Sequence, residues 1–294
     1  KLGNEESASL VFVFVSSQYK NSIPSIPKIL NAAFPESVLF GCSAAGILGD
    51  GQEVQNNPSI TLMAGVLPST TIAPFYAPQE GLPSEDDPPD AWPEILGLTH
   101  LKNPDFLLLA EPFAPHTNQF LAGLDYAFPK STKIGGLVSG GTQPGTNYLY
   151  LGNSVYTEGI IGLAFEGDLV MEPIVAQGCR PIGNLKQITK CQGNFLIELD
   201  NESPVAYLSR IYQTLPDRDQ ELFRNQLLVG IGVNSVLYLD DQNANEFLIR
   251  NIVGADPEKG ILAIGELVRD GQIVQFHVRD AVSSAEDLRR QLHK

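Results

Sequence analysis

The sequence predicts a mixed α/β (α+β) protein, with layered sheets built from a duplicated β-α-β-β unit and a smaller α/β module after them. Three observations carry this. Apolar runs of strand length alternate with helical segments that end at proline, the pattern of layered α/β domains. A fourteen-residue stretch recurs 94 residues further on. The 27 glycines and 21 prolines among 294 residues exceed the ~35 expected at average usage, which favours strands and turns over a helical bundle.

Residues 10–15 are apolar throughout and predict a buried strand; residues 26–33 predict a helix stopped by Pro35, whose ring and missing N–H break the ladder. A second strand runs into Gly41-Cys42-Ser43-Ala44-Ala45-Gly46, and further strands follow, among them residues 60–64. The recurrence compares residues 33–46 with 127–140. Six of fourteen positions agree (Ala33/Ala127, Phe34/Phe128, Pro35/Pro129, Ser37/Ser131, Gly41/Gly135, Gly46/Gly140), against roughly one by chance. The same offset lays residues 10–15 on 104–109. An offset of 100 lays 60–64 on 160–164, a six-residue insertion in the second copy. That copy reads as strand, helix over 118–127, strand, the turn Gly135-Gly136-Leu137-Val138-Ser139-Gly140-Gly141, and more strands. Between the copies, residues 78–93 are acidic and proline-rich, a solvated connector.

Strands are expected over 159–165, 169–176, 187–191 and 195–199. Ser203 caps a helix over 205–215 with Pro204 at its first position, and a shorter helix covers 217–225. Strands follow over 227–233, 246–253, 261–264 and 273–278. A last helix is capped by serine at 283–284, with Arg289 and Arg290 near its end. The change of pattern near residue 200 divides the chain into 8–200 and 201–294.

A net charge of −15 repels phosphate backbones and anionic headgroups, so nucleic acid and polybasic membrane docking are excluded. No apolar run reaches the ~18 residues of a transmembrane helix. Three cysteines and four histidines form neither a disulfide framework nor metal-ligand spacing, and fit a reducing compartment. No phosphate-loop or dinucleotide fingerprint occurs, so no cofactor or metal is expected. The chain starts at Lys1 without methionine, which suggests a lost upstream segment such as a targeting peptide.

The two glycine-rich turns offer backbone amides to an anion or carboxylate; tight strand connections are the competing reading. Cys42 and Ser43 suggest a nucleophile, but His100, His116, His277 and His293 lie in no recognisable catalytic spacing. A buried cysteine also serves as a small hydrophobe. In Gln177-Gly178-Cys179-Arg180-Pro181-Ile182-Gly183, Arg180 suits a bidentate clamp on a carboxylate or a buttress for the turn. Arg279 beside Asp280 is an ion pair locking the last strand to the final helix, or a ligand group. Arg250 and Asn251 raise the same question.

These stretches, with Phe247-Leu248-Ile249-Arg250-Asn251 and Val274-Gln275-Phe276-His277-Val278-Arg279-Asp280, together resemble the FIST family, which pairs a FIST-N with a FIST-C domain. The match runs through nearly the whole chain in the family's order, and is most similar to its cyanobacterial and plastid branch. The resemblance implies a non-enzymatic sensory module for a small ligand, an amino acid or other carboxylate metabolite. It also implies residence in the chloroplast stroma or cyanobacterial cytoplasm, with peripheral attachment to a membrane complex open. The chain starts close to its first strand, short of a helix the family leads one to expect. With both expected domains accounted for, no fused output domain is expected, so readout would pass through a protein partner. The expected ligand-binding residues are Gly41, Cys42, Ser43, Gly46, Gly135, Gly136, Ser139, Gly140, Gln177, Gly178, Arg180 and Arg279. The rival functions are a protein–protein adaptor or scaffold in a photosynthetic or other large complex, and a hydrolase or transferase using Cys42 or Ser43.

Overall fold

A computed structural model describes residues 7–19, 22–84, 86–232 and 247–293. The chain forms two compact units, Lys1–Pro173 and Ile174–Lys294. In the first, one copy of the duplication comprises β1 (Leu10–Ser16), α1 (Ile26–Ala33), β2 (Val38–Ala44), the hairpin β3 (Gly46–Gly49) and β4 (Gln52–Gln55), β5 (Ile60–Gly65) and β6 (Thr70–Ala77). After α2 (Ala91–Leu96) the second copy repeats this order as far as β5. Its elements are β7 (Asp105–Ala110), α3 (Thr117–Ala127), β8 (Lys133–Leu137), the hairpin β9 (Leu149–Leu151) and β10 (Ser154–Tyr156), and β11 (Ile160–Gly167).

The pairing shows the duplication. β1 runs parallel to β2 and antiparallel to β5, and β7 has the same relations to β8 and β11. Val13 stands opposite Gly41, and Leu108 opposite Gly135. Val15 stands opposite Ile60, and Ala110 opposite Ile160. The first strands therefore correspond at an offset of 95, one residue beyond the 94 that aligns the Ala-Phe-Pro segments. The burial pattern agrees: Val11, Val13 and Val15 pack beneath α1, as Phe106, Leu108 and Ala110 pack beneath α3. Because strand side chains alternate between faces, an offset of 94 exchanges core and opposite face.

The copies are interleaved. The β9–β10 hairpin pairs with the outer edge of β2, giving the order β10-β9-β2-β1-β5, while β6 of the first copy joins the second in β6-β11-β7-β8. Each sheet draws strands from both copies, so neither copy completes a layer alone. Among the described residues the hairpin β3–β4 pairs only with itself, and β8 ends its sheet. The recurring glycine has a packing reason. A Cβ on Gly41 would lie 1.8 Å from the Val13 carbonyl oxygen, and one on Gly135 2.0 Å from that of Leu108.

The acidic connector is a loop only up to Asp90. Its end enters α2, whose buried Trp92 lies where a Cβ on Gly123 of α3 would meet it at 2.0 Å. Residues 169–176, expected as a strand, pair with no described strand. Val170, Ile174 and Val175 are exposed around Pro173, which lacks the donor a ladder needs.

The second unit holds β12 (Cys179–Gln192), β13 (Phe195–Leu199), α4 (Pro204–Thr214), α5 (Asp217–Gln226), β14 (Leu227–Gly232), β15 (Phe247–Asp256), β16 (Ile261–Ile264), β17 (Ile273–Arg279) and α6 (Ala281–Leu292). Its six strands close into a barrel in the order β12-β13-β16-β15-β14-β17, which removes sheet edges altogether. Ile188, Leu196, Leu199, Val229, Ile264, Val274, Phe276 and Val278 fill it. β12 and β13 belong to this barrel, so the compact unit begins before the change of pattern near residue 200. Ser203 caps α4, its hydroxyl accepting from the Ala206 N–H at 3.3 Å. The cap of α6 is Asp280 instead of a serine: its carboxylate accepts from the Ser283 N–H at 2.9 Å, and the helix starts two residues before Ser283. Expected strand ends at Val233 and Glu246 lie outside the described residues.

Candidate functional site

In the first unit the two glycine-rich segments expected as turns are largely strand, residues 41–44 belonging to β2 and residues 135–137 to β8, and they meet at the carboxyl end of β2. The Ser43 hydroxyl donates to the Ser139 carbonyl (3.3 Å) and accepts from the Tyr148 N–H (3.0 Å). The Ser139 hydroxyl accepts from the Ala45 N–H at 3.1 Å. Gly140 has φ +104°, and a Cβ there would lie 2.5 Å from Ser17 Cβ. Gly141 N–H donates to Asn147 Oδ1 (2.8 Å), and Asn147 Nδ2 to the buried Glu111 carboxylate (3.1 Å), which also accepts from the Phe113 N–H (2.7 Å). Every polar group named here already has a protein partner, so the turns latch strand ends together. Gly46 has ordinary room and takes no part in this close packing.

Cys42 is buried beside this latch, and burial pushes its thiol up to about 12. Thiolate, the nucleophilic form, is thereby suppressed at neutral pH. Among the described residues no histidine hydrogen-bonds to Cys42 or Ser43. His277 is buried in the second unit, its Nδ1 2.9 Å from the Gln275 carbonyl oxygen, and burial holds it below the usual imidazole range. Among the described residues no group of three His, Cys, Asp or Glu is arranged to hold a metal.

Two of the expected glycines border open space instead. A cavity of about 330 Å³ lies between α3 and the β7–β8 edge, walled by Leu108, Ala110, Phe120, Leu121, Leu137 and Ile160, with Thr117, Lys133, Ile134, Gly135 and Gly136 at its margins. Its side-chain polarity is already engaged. Lys133 Nζ pairs with Asp125 (2.9 Å) and donates to the Phe128 and Ser131 carbonyls, leaving its aliphatic stem on the wall. Thr117 Oγ1 donates to the Ala114 carbonyl at 3.2 Å. The backbone supplies what polarity is left. Phe106 N–H bonds Thr132 O, and Val138 N–H bonds Ala110 O. Alternation therefore turns the N–H and C=O of Lys133, Gly135 and Leu137 away from β7, towards an edge on which no described strand lies. Leu137 is 62% exposed there.

In the second unit the polar segment around Arg180 is a lock. Gln177 donates to the Phe247 carbonyl and accepts from the Ile249 N–H. Gly178, at φ +64°, donates to Asp287 and accepts from Ser284 Oγ, both at 3.0 Å. The Arg180 guanidinium is held by Asp219 and, at 3.2 Å, by Asp280. The Ser283 N–H and Oγ together with Arg180 hold the Asp280 carboxyl down at about 2. Arg279 turns to the Cys179 sulfur (3.4 Å), leaving Asp280 to Arg180 and Arg218. Arg250 pairs with Glu266 at 2.9 Å.

The structure thus places Gly41, Cys42, Ser43, Ser139 and Gly140 in one hydrogen-bonded junction, Gly135 and Gly136 on a cavity, and Gln177, Gly178 and Arg180 in an ion-paired lock. The sequence does not single out Leu108, Ala110 and Leu121, which look like ordinary core. The signal that finds them is a hairpin-to-hairpin comparison of the two copies.

Residues 9–202 match the FIST N domain and residues 206–294 the FIST C domain. An uncharacterized protein of Mycobacterium tuberculosis is 31% identical over 285 residues, covering 96% of this chain and 71% of its own length. Another, of Mycobacterium bovis, is 29% identical over 286 residues, covering 97% and 71%. FIST domains are taken as sensory domains that bind small ligands in signal transduction. With matches through both units, the chain belongs to the FIST family.

Proposed function

We propose that this protein is a non-enzymatic sensory module whose small ligand, an amino acid or other carboxylate metabolite, binds in the α3/β8 cavity of the first unit. The observation that carries the reading is the combination at that place: apolar walls around about 330 Å³, at the small end of ligand pockets, beside outward-facing backbone donors and acceptors on β8. Elsewhere the polar side chains expected to bind a ligand are engaged by protein groups: Ser43 by Ser139 and Tyr148, Arg180 by two aspartates. The buried Cys42 thiol argues against covalent catalysis. The test is a thermal-shift screen with amino acids and organic acids on the wild type and Leu121→Trp, a substitution at a wall residue that is 37% exposed. A ligand at 100 times its Kd adds about 2.7 kcal/mol, a shift of several degrees. A shift present in wild type and absent in the variant supports the site; one equally large in both places the ligand elsewhere.

A further inference from the structure

We propose that the ligand of this cavity is an aromatic α-amino acid, its ring beneath α3, its ammonium on the Gly135 carbonyl and its carboxylate on the Gly135 N–H. The inference rests on reading the cavity as the ligand site, and it comes from comparing the two copies. In the first copy the matching space is filled. β9 pairs with β2 so that Tyr150 stands opposite Gly41. There the Tyr150 side chain is fully buried with Val11, Val13, Val15, Ile26 and Leu39 beneath α1. The Ser43 N–H reaches the Tyr148 carbonyl and the Gly152 N–H the Leu39 carbonyl, both at 2.8 Å, so the outward peptide groups of β2 meet β9.

The second copy has the same frame, with no described strand on it. Val13 and Val15 correspond to Leu108 and Ala110, and Gly41 to Gly135. The hairpin equivalent to β9–β10 is β3–β4, in which Leu48 holds the position of Tyr150, second from the end of its strand. Among the described residues that hairpin pairs only with itself, and Leu48 is 72% exposed. The cavity is therefore where the first copy seats a tyrosine ring over a glycine. The apolar walls suit an aromatic ring, and glycine leaves the sheet surface beneath it bare, an arrangement also used when aromatics cover glycines across strands. The Lys133 ammonium is already neutralised by Asp125, so recognition of the ligand's charged ends falls to the Gly135 peptide groups, as Tyr150's backbone is met by Gly41. The contact of Ala45 N–H with Ser139 Oγ, two residues past the end of β8, closes that end of the edge to a longer strand and favours a single free amino acid.

The test is isothermal titration of the full chain with L-tyrosine, L-phenylalanine, L-leucine, tyramine, 3-(4-hydroxyphenyl)propionate and the peptide N-acetyl-Leu-Tyr-Leu-amide. It uses the wild type, Leu121→Trp, and Leu137→Trp as a second block should the first fail to fold. The expected result is saturable binding of tyrosine and phenylalanine, at least tenfold weaker binding of leucine and of the analogues lacking carboxylate or amine, and loss of binding in either folded blocking variant. Leucine binding as tightly as phenylalanine overturns the aromatic assignment. Binding of the tripeptide with both free aromatic amino acids silent overturns the free-ligand form and makes β8 a strand-docking edge. If none of these probes binds while a different metabolite shifts the wild type but not Leu121→Trp, this inference falls and the cavity reading survives. Tyrosine binding that persists undiminished in a folded blocking variant removes both.

Discussion

Tyr150 offers a test in which removing an atom strengthens the protein. Its side chain is fully buried under α1, and its hydroxyl has no hydrogen-bond partner among the described residues. Burial, then the neighbouring Cys42 and Tyr148, hold its ionisation above the usual phenol range. A buried polar group without a partner costs about 1–3 kcal/mol. Tyr150→Phe keeps the ring and its contacts while removing that cost, so the variant is expected to gain about 1 kcal/mol, or ~2–4 °C for a unit of this size. Urea unfolding followed by circular dichroism measures it, with equal m-values showing that only the native state changed. A variant less stable than wild type by about 1 kcal/mol or more refutes the reasoning, because the hydroxyl must then have a partner. Tyr150→Ala, by contrast, costs about 3–5 kcal/mol through the hole it leaves.

The remaining predictions concern glycine, thiol and charge. Gly41→Ala and Gly135→Ala each press a Cβ into a neighbouring carbonyl, so each is expected to destabilise by about 3 kcal/mol; a loss below about 0.5 kcal/mol means the strands can separate at no cost. Cys42, with its thiol at about 12, should resist iodoacetamide at pH 8 in the native protein and react only on unfolding; peptide mass mapping would show rapid native labelling if the burial argument is wrong. Asp280 lies at about 2 when folded and near ~3.9 unfolded, so its stabilisation is complete above pH ~4 and lost as pH falls towards ~2; Asp280→Asn should flatten that acid limb. His277, held below its ordinary range, adds stability that is present above pH ~6.5 and declines below it, a slope that His277→Gln should remove. Arg180→Ala takes the guanidinium from Asp219 and leaves Asp280 only Arg218 and Ser283, so it should lower stability by about 2 kcal/mol while ligand shifts from the α3/β8 cavity persist; loss of those shifts in a folded variant would bring Arg180 back as a ligand group.

Much of the fold was legible locally. Pro35 and Pro129 end the two matched helices, Ser203-Pro204 starts α4, and the alternating apolar residues of β17 mark a strand, because caps, ring geometry and periodicity act within a few residues. The candidate site was half legible. Gly135 and Gly136 stood out through the repeat, whereas Leu121 and Ala110 carry no mark that separates a cavity wall from a filled core. Arg180 looked like an anion clamp because Asp219 and Asp280, which take its guanidinium, are 39 and 100 residues away.

By itself the sequence determined the order and type of most elements, the existence of two copies, and membership of the FIST family. Tertiary structure alone decided that the copies exchange β6 and the β9–β10 hairpin, that β1 and β7 correspond at 95, that the last six described strands close into a barrel, and that the outer edge of β8, above a cavity, carries no described strand. The reason is physical. Propensity and capping are settled between near neighbours, while the partner of a strand edge is chosen by whichever distant segment buries its apolar face, and β2 found Tyr150 where β8 found none among the described residues.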